Sequence, residues 1–217
     1  GQVLTAGAGQ NPARQASIDA GIPNTKPAHI VNQVCGSGLR AVISGYQSIK
    51  LGEATNIISG GQENMSIAPH SIFYRDGKKI SEDKLLDTMI NDGLIDAFNN
   101  YHMGVTAENV AQKFNITRQQ QDEFALNSQR KTEIAINNNR FSDELVKISD
   151  NENVYNKDEH PRFGLKLSDL EKLKTVFKEK GTVTPGNSSG INDGAAAVVL
   201  TTRDLAEKNN LEILGKI

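Results

Sequence analysis

The chain has 217 residues, enough for a substantial hydrophobic core, and a formal net charge of −2, which gives no reason to expect nucleic acid or an anionic membrane as a partner. It contains no run of about 18 apolar residues and no basic segment followed by an apolar one at its start. Its single cysteine excludes an internal disulfide, and no Cys/His cluster has the spacing of a zinc site. We therefore expect a cytoplasmic protein without a spanning helix, a secretory signal or a metal.

The first elements in chain order are a helix and a buried strand. Asn11 can cap a helix and Pro12 suits its first turn, so a helix is predicted from there until Gly21 ends it. The apolar-leaning stretch over residues 28–34 predicts a buried strand.

A second helix is predicted from just after Cys35 to Gly52, because apolar residues recur at helical spacing: Leu39, Val42, Ile43, Tyr46 and Ile49. Residues 55–59 predict the next strand, which should end at Gly60-Gly61. Strand, helix and strand joined by short links indicate a right-handed crossover in a largely parallel sheet with flanking helices.

Cys35 stands between the predicted strand and the predicted helix. A cysteine at a helix start faces unpaired N–H groups and the positive end of the helix dipole, which favours the thiolate and so a nucleophile. The small residues Gly36-Ser37-Gly38 permit a tight turn and a close approach of substrate to the backbone. The alternative is a buried and inert cysteine, which the strand, turn and helix together make the weaker interpretation.

The stretch over residues 65–185 is polar and favours helices, so it predicts a mostly helical insertion. Thr117 with Gln120, and Ser168 with Glu171, have the spacing of capping boxes. The core should return at residues 195–200, a continuous apolar run that predicts a strand buried on both faces. A final helix should run over residues 202–209.

Several segments resemble the thiolases, in family order along the chain. The nucleophile segment is Asn32-Gln33-Val34-Cys35-Gly36-Ser37-Gly38-Leu39-Arg40-Ala41, and further matches are Gly9-Gln10-Asn11-Pro12, His102-Met103-Gly104, Thr106-Ala107-Glu108-Asn109 and Asn187-Ser188-Ser189-Gly190-Ile191-Asn192-Asp193-Gly194-Ala195. The resemblance implies a thiolase-like α/β fold and a chain that covers most of the first of two similar halves. Residues 1–64 and 192–213 would form that incomplete core, 65–191 the loop domain, and 214–217 the start of the second half.

The resemblance further implies that Cys35 accepts the acyl group of an acyl-CoA and that a second acyl-CoA attacks this acyl-enzyme in a Claisen condensation. In the family a histidine, a second cysteine and an asparagine from the second half complete the site, and the four histidines here match none of those motifs. Coenzyme A thioesters would be substrates, with no permanently bound cofactor.

Residues that would bind CoA follow from the same resemblance. Small side chains suit the pantetheine arm, an exposed hydroxyl offers it a partner, and a cation suits the phosphates. The implied set is Leu94, His102, Met103, Arg162, Phe177, Ser188, Ser189 and Ile191. For Arg162 a solvated surface arginine remains an equal alternative.

The resemblance favours an acetyl-CoA C-acetyltransferase, which joins two acetyl-CoA molecules or runs the reverse thiolysis. The alternatives are a broad-range degradative 3-ketoacyl-CoA thiolase and a non-catalytic thiolase-like protein that binds acyl-CoA or lipid. The segment over residues 65–84 mixes apolar residues and charge without clear periodicity, which is typical of an interface loop. By the resemblance it would help build a homotetramer, a dimer of dimers.

Overall fold

The computed structural model describes residues 1–75, 85–149 and 152–217. Two compact units form: residues 1–94 with 191–217, and residues 95–190. Residues 65–75 and 85–94, which were predicted to belong to the loop domain, cluster instead with the first unit. The end of the predicted interface loop, residues 76–84, lies outside the described residues.

The first unit is built around a two-stranded antiparallel ladder with one helix packed on it. Its elements are α1 (Pro12–Asp19), α2 (Ser37–Lys50), β1 (Asn56–Asn64), β2 (His70–Ser71), β3 (Leu86–Asp87), the π-helical turn Met89–Leu94, β6 (Asp193–Thr201) and α6 (Arg203–Lys208). Strand β1 pairs with β6 from Asn56 opposite Thr201 to Asn64 opposite Asp193. The capping prediction for α1 is confirmed, because Asn11 accepts a hydrogen bond from the Arg14 amide. The predicted final helix is also present as α6, and Thr202 caps it by accepting from the Leu205 amide.

Two strand predictions for this unit were wrong. Residues 28–34 form no ladder: the amide of Gln2 donates to the carbonyl of Val31, and one such bond does not make a strand pair. Strand β1 continues through Gly60-Gly61 to Asn64 and pairs antiparallel with β6, so the predicted parallel crossover is absent from the described residues.

Strand β6 exists as predicted, but its burial on both faces was wrong. Val198 and Val199 are 49% and 66% exposed. The reason is packing: β1 covers one edge of β6, and α2 lies chiefly on β1. A continuous apolar run therefore predicted the strand correctly but did not predict how much of it is buried.

The second unit is mostly helical. It contains α3 (Met103–Phe114), α4 (Arg118–Asn137), the short pair β4 (Ile148–Ser149) and β5 (Val154–Tyr155), and α5 (Leu167–Glu171), which packs on α4. The predicted capping box of α4 is confirmed, since the Thr117 hydroxyl accepts from the Gln120 amide and the Gln120 side chain accepts from the Thr117 amide. The box predicted at Ser168 was wrong: α5 begins earlier, with the Asp169 carboxylate accepting from the Lys166 amide.

Candidate active site

Cys35 lies in a tight turn that leads into α2, and its side chain is exposed. The Gly36 amide donates to the Gln33 carbonyl and the Ser37 amide to the Val34 carbonyl, each at 3.0 Å. Two successive turns of backbone thus present the cysteine one residue before the helix cap, Gly36. The predicted place at a helix start is thus confirmed, whereas residues 28–34 before it form no strand.

Ser37 stabilises this turn through two hydrogen bonds of its hydroxyl to the backbone. The residue is 4% exposed, and its hydroxyl accepts from the Gln33 amide at 2.8 Å while donating to the Val34 carbonyl at 2.6 Å. Sequence reasoning treated Ser37 only as a small residue. The sequence does contain a signal for this structural role, because a serine in the first turn of a helix can bond to the backbone that precedes the helix.

The residue before the cysteine is strained. Val34 has φ +50°, in the left-handed region that β-branched residues rarely occupy. Such a conformation costs on the order of 1–3 kcal/mol and persists only where the surroundings hold it. The Ser37 hydroxyl supplies part of that restraint through its bond to Val34.

Glycines allow the start of α2 to approach β1 closely. A Cβ on Gly61 would lie 3.4 Å from the Cα of Gly38, and one on Gly60 would lie 2.2 Å from the Ala196 carbonyl oxygen. Gly61 therefore lies close to the start of α2, and Gly60 lies against the backbone of β6. Both glycines stand within β1, the strand that was predicted to end at this point.

Asp193, in the segment that resembles a substrate loop, fastens the chain after β1. Its carboxylate accepts from the amides of Met65 and Ser66 at 2.8 and 3.0 Å. Hydrogen bonds from the Ser66 side chain and amide, with that from Met65, hold the pKa of Asp193 below its usual range. Its observed role is thus structural.

In the second unit, His102 and Phe177 form a stacked pair at the start of α3. Their ring centroids are 4.7 Å apart with planes 20° from parallel. The His102 Nδ1 accepts from the Gly104 amide at 3.0 Å, so in neutral His102 the proton resides on Nε2. The stack and the cap therefore fix both the ring and the nitrogen that can donate. Met103, next in the helix, is 46% exposed.

Gly104 makes this stack possible. A Cβ at Gly104 would lie 2.2 Å from the Phe177 ring. Any larger residue must push Phe177 away from its place against His102.

We expect Gly104→Ala to lower the free energy of unfolding by about 1–3 kcal/mol, the usual cost of overpacking. The matched control is Gly38→Ala, because Gly38 is likewise the second residue of its helix and its added Cβ would meet only an ordinary contact, at 4.0 Å from the Gly61 Cα. There alanine should be neutral or stabilise by up to about 1 kcal/mol. Denaturant unfolding measures both, and an equal response of the two variants would contradict the steric reading.

The turn that carries Ser188 and Ser189 is held by internal hydrogen bonds. The Ser188 hydroxyl donates to the Thr184 carbonyl at 2.7 Å, whereas Ser189 is exposed. Thr184 is fully buried, and its amide donates to the Asn187 side-chain oxygen at 2.8 Å.

The remaining predicted CoA residues are less clustered. Arg162 is exposed, and its amide donates to the side chain of Gln129 on α4 at 2.8 Å. Leu94 ends the π-helical turn and is half-buried, and Ile191 is 61% exposed. Within the second unit the structure brings His102 and Phe177 together; Cys35, Leu94 and Ile191 belong to the first.

No helix of the described residues is long and apolar enough to cross a membrane. Among those same residues, no group of three or more His, Cys, Asp or Glu is arranged to hold a metal ion.

Residues 1–204 match the thiolase N-terminal domain, and this match shows that the chain belongs to the thiolase family. It is 51% identical to an acetyl-CoA acetyltransferase of Paracoccus denitrificans and 52% identical to one of Rhizobium meliloti (strain 1021). Each alignment covers 100% of this chain and 56% of the relative, so the chain spans about half the length of the curated relatives it matches.

A solved structure gives the same result for the fold. The crystal structure of Acat5 thiolase from Ascaris suum in complex with coenzyme A aligns with a TM-score of 0.88 and 36% identity, over 98% of this chain and 55% of that one. The predicted thiolase-like α/β fold class is thus confirmed.

Proposed function

We propose that the enzyme containing this chain is an acetyl-CoA C-acetyltransferase, which condenses two acetyl-CoA molecules to acetoacetyl-CoA or runs the reverse thiolysis. The observation that carries the proposal is the exposed Cys35 in its braced turn before α2. Support comes from acetyl-CoA acetyltransferases that align with the whole chain at about half identity.

In the proposed first step the Cys35 thiolate attacks the thioester carbonyl carbon of acetyl-CoA. The carbon–sulfur bond to CoA then breaks, CoA leaves as a thiolate that takes up a proton, and the acetyl group remains on Sγ. Amide N–H groups around the start of α2 would stabilise the oxyanion of the tetrahedral intermediate. In the second step a base removes an α-proton from another acetyl-CoA, whose carbanion attacks the acetyl-enzyme and frees the Cys35 thiolate.

CoA would be held by the residues that the sequence analysis singled out: Leu94, His102, Met103, Arg162, Phe177, Ser188, Ser189 and Ile191. The geometry of the second unit suits part of this role. In neutral His102 the Nε2–H is the donor, and it would donate to a carbonyl oxygen of the pantetheine arm. The exposed Ser189 is the better hydroxyl partner, because the Ser188 hydroxyl proton is engaged by Thr184.

Chain-length preference tests the proposal against the degradative and non-catalytic alternatives. The full-length enzyme should cleave acetoacetyl-CoA with a kcat/KM at least about tenfold above that for longer 3-ketoacyl-CoA thioesters, a difference of about 1.4 kcal/mol in transition-state stabilisation. Equal values would favour a broad-range degradative thiolase. CoA binding without thiolysis of any chain length would favour a binding protein.

Arg162 is proposed to meet the 3′-phosphate of CoA. Arg162→Ala should weaken CoA binding by about tenfold or more, the size of a lost charge-assisted hydrogen bond, and should leave dephospho-CoA binding unchanged. Calorimetric titration of both ligands into the full-length enzyme measures this. Equal losses of affinity for CoA and dephospho-CoA would contradict this role and favour the alternative, a solvated surface arginine.

A homotetramer and a cytoplasmic location complete the proposal. The apolar residues after β1 support an interface there: Ile67 and Phe73 are 76% and 88% exposed. Light scattering should give four subunits for the full-length enzyme and fewer for a variant with both residues changed to serine.

Cell fractionation should find the enzyme in the cytoplasm; recovery with membranes would contradict this.

A further inference from the structure

Two carboxylates that the reaction does not use are buried in the second unit. Asp122 on α4 is 1% exposed and Glu108 on α3 is 4% exposed. A buried charge is costly unless hydrogen bonds and opposite charges compensate it. Both carboxylates are fully engaged, and both bond toward the segment that precedes Ser188 and Ser189.

Asp122 joins this segment through Asn187. One carboxylate oxygen of Asp122 accepts from the Asn187 Nδ2 at 2.9 Å, and the other accepts from the Arg118 Nε at 2.7 Å. The same Nδ2 donates to the Thr182 carbonyl at 3.0 Å, and the Asn187 side-chain oxygen accepts from the Thr184 amide at 2.8 Å. Every hydrogen-bonding group of the Asn187 amide side chain except one lone pair is therefore committed.

Arg118 anchors Asp122 in turn. Its Nη2 donates to the carbonyls of Leu170 and Leu173 at 2.7 and 3.1 Å, at the C-terminal end of α5. The guanidinium thus fixes Asp122 relative to α5 while Asp122 fixes Asn187. The result is one chain of bonds from α5 through α4 to the turn.

We propose that Asp122 is a positioning residue for coenzyme A binding, acting through Asn187 on the turn that presents Ser188 and Ser189. The inference rests on the proposed function for its ligand. The Asn187 side chain bonds to the backbone of Thr182 and Thr184, and Asn187 directly precedes Ser188. Loss of its bond to Asp122 would therefore loosen the turn that carries the two serines. Asp122 itself touches no substrate.

The isosteric variant Asp122→Asn tests this sharply. Asp122 accepts from two donors with two oxygens, whereas asparagine offers one oxygen and must turn its NH2 toward either Arg118 or Asn187. One donor then faces another donor.

Calorimetric titration of CoA into the full-length enzyme should show a Kd about tenfold weaker for Asp122→Asn, the equivalent of one lost hydrogen bond. The matched control is Glu123→Gln on the same helix, where an exposed carboxylate accepts from Gln119 at 2.8 Å; its Kd should not change. Should Asp122→Asn not fold, Asn187→Ala carries the same expectation while keeping the Asp122–Arg118 pair.

A second readout separates positioning from general damage. Acetylation of Cys35 by a simple alkyl thioester without the pantetheine arm should proceed equally in wild type and Asp122→Asn. An unchanged CoA Kd in Asp122→Asn would overturn the positioning role while leaving the proposed function intact. Equal losses in the rate of Cys35 acetylation by acetyl-CoA and by the alkyl thioester would do the same. A wild-type enzyme that binds CoA but never acetylates Cys35 would defeat the proposed function alone, and one that binds no CoA would defeat both.

Discussion

Replacement of Cys35 with serine should lower the thiolysis rate of the full-length enzyme by about 10⁴-fold or more, the scale of loss seen when a covalent nucleophile is removed. The hydroxyl is a far weaker nucleophile near neutral pH than a thiol at a helix start. Because Cys35 is exposed, the change leaves packing nearly untouched. The kcat for acetoacetyl-CoA, measured with excess CoA, gives the result.

The control is Gln47→Ala, an exposed residue near the other end of α2, which should keep both kcat and stability. The unfolding free energy of Cys35→Ser should also stay within about 0.5 kcal/mol of wild type. A serine variant that retained ordinary turnover would remove Cys35 from the mechanism.

Replacement of Glu108 with alanine should destabilise the protein by about 3–5 kcal/mol. Glu108 accepts from the Thr182 amide, the Thr182 hydroxyl and the Val183 amide, all at 2.8–3.0 Å. Alanine leaves these donors without their acceptor in a buried place. Denaturant unfolding checks the value, and Glu123→Ala on the exposed face of α4 should change it by no more than about 0.5 kcal/mol.

The same carboxylate should make stability depend on pH. Burial alone would raise the pKa of Glu108, but the hydrogen bonds from Val183 and Thr182 and the charge of Lys178 outweigh it and hold the pKa below its ordinary 4.5. A lowered pKa means that the folded state binds the proton less well than the unfolded state does. The stabilisation is therefore complete above about pH 4.5 and is lost as pH falls through the lowered value.

Wild type and Glu108→Gln should accordingly differ most near neutral pH, and their difference should shrink below about pH 4.5. Unfolding curves recorded across that range test the expectation. A difference that stayed constant down to about pH 3 would show that the charge of Glu108 does not contribute.

Local signals predicted the helices well, because a cap depends on a few neighbouring residues. Asn11 and Thr117 both cap as the sequence indicated, and α2 ends beside Gly52 as expected. Strand pairing depends on residues far apart in the chain. Nothing near residues 56–64 reveals that their partner lies at 193–201 or that the pairing is antiparallel.

The site divides in the same way. The place of Cys35 at a helix start follows from its flanking residues, whereas the stack of Phe177 on His102 joins residues 75 positions apart and has no local signal. The buried acids did leave a trace. Glu108 shares a helix face with Gly104 and Ala111, and Asp122 precedes Leu126 by one turn. An acidic residue on the apolar face of a helix predicts a buried carboxylate that needs a hydrogen-bond partner. The sequence therefore contained a signal for both acids.

Trapping the acyl-enzyme tests the central claim most directly. The full-length enzyme, mixed with acetyl-CoA and quenched in acid, should yield one acetyl group on the peptide that contains Cys35, and added CoA should remove it before the quench. Turnover without acetyl on that peptide, or acetyl on another residue that CoA removes at the catalytic rate, would contradict the assignment of Cys35 as the nucleophile.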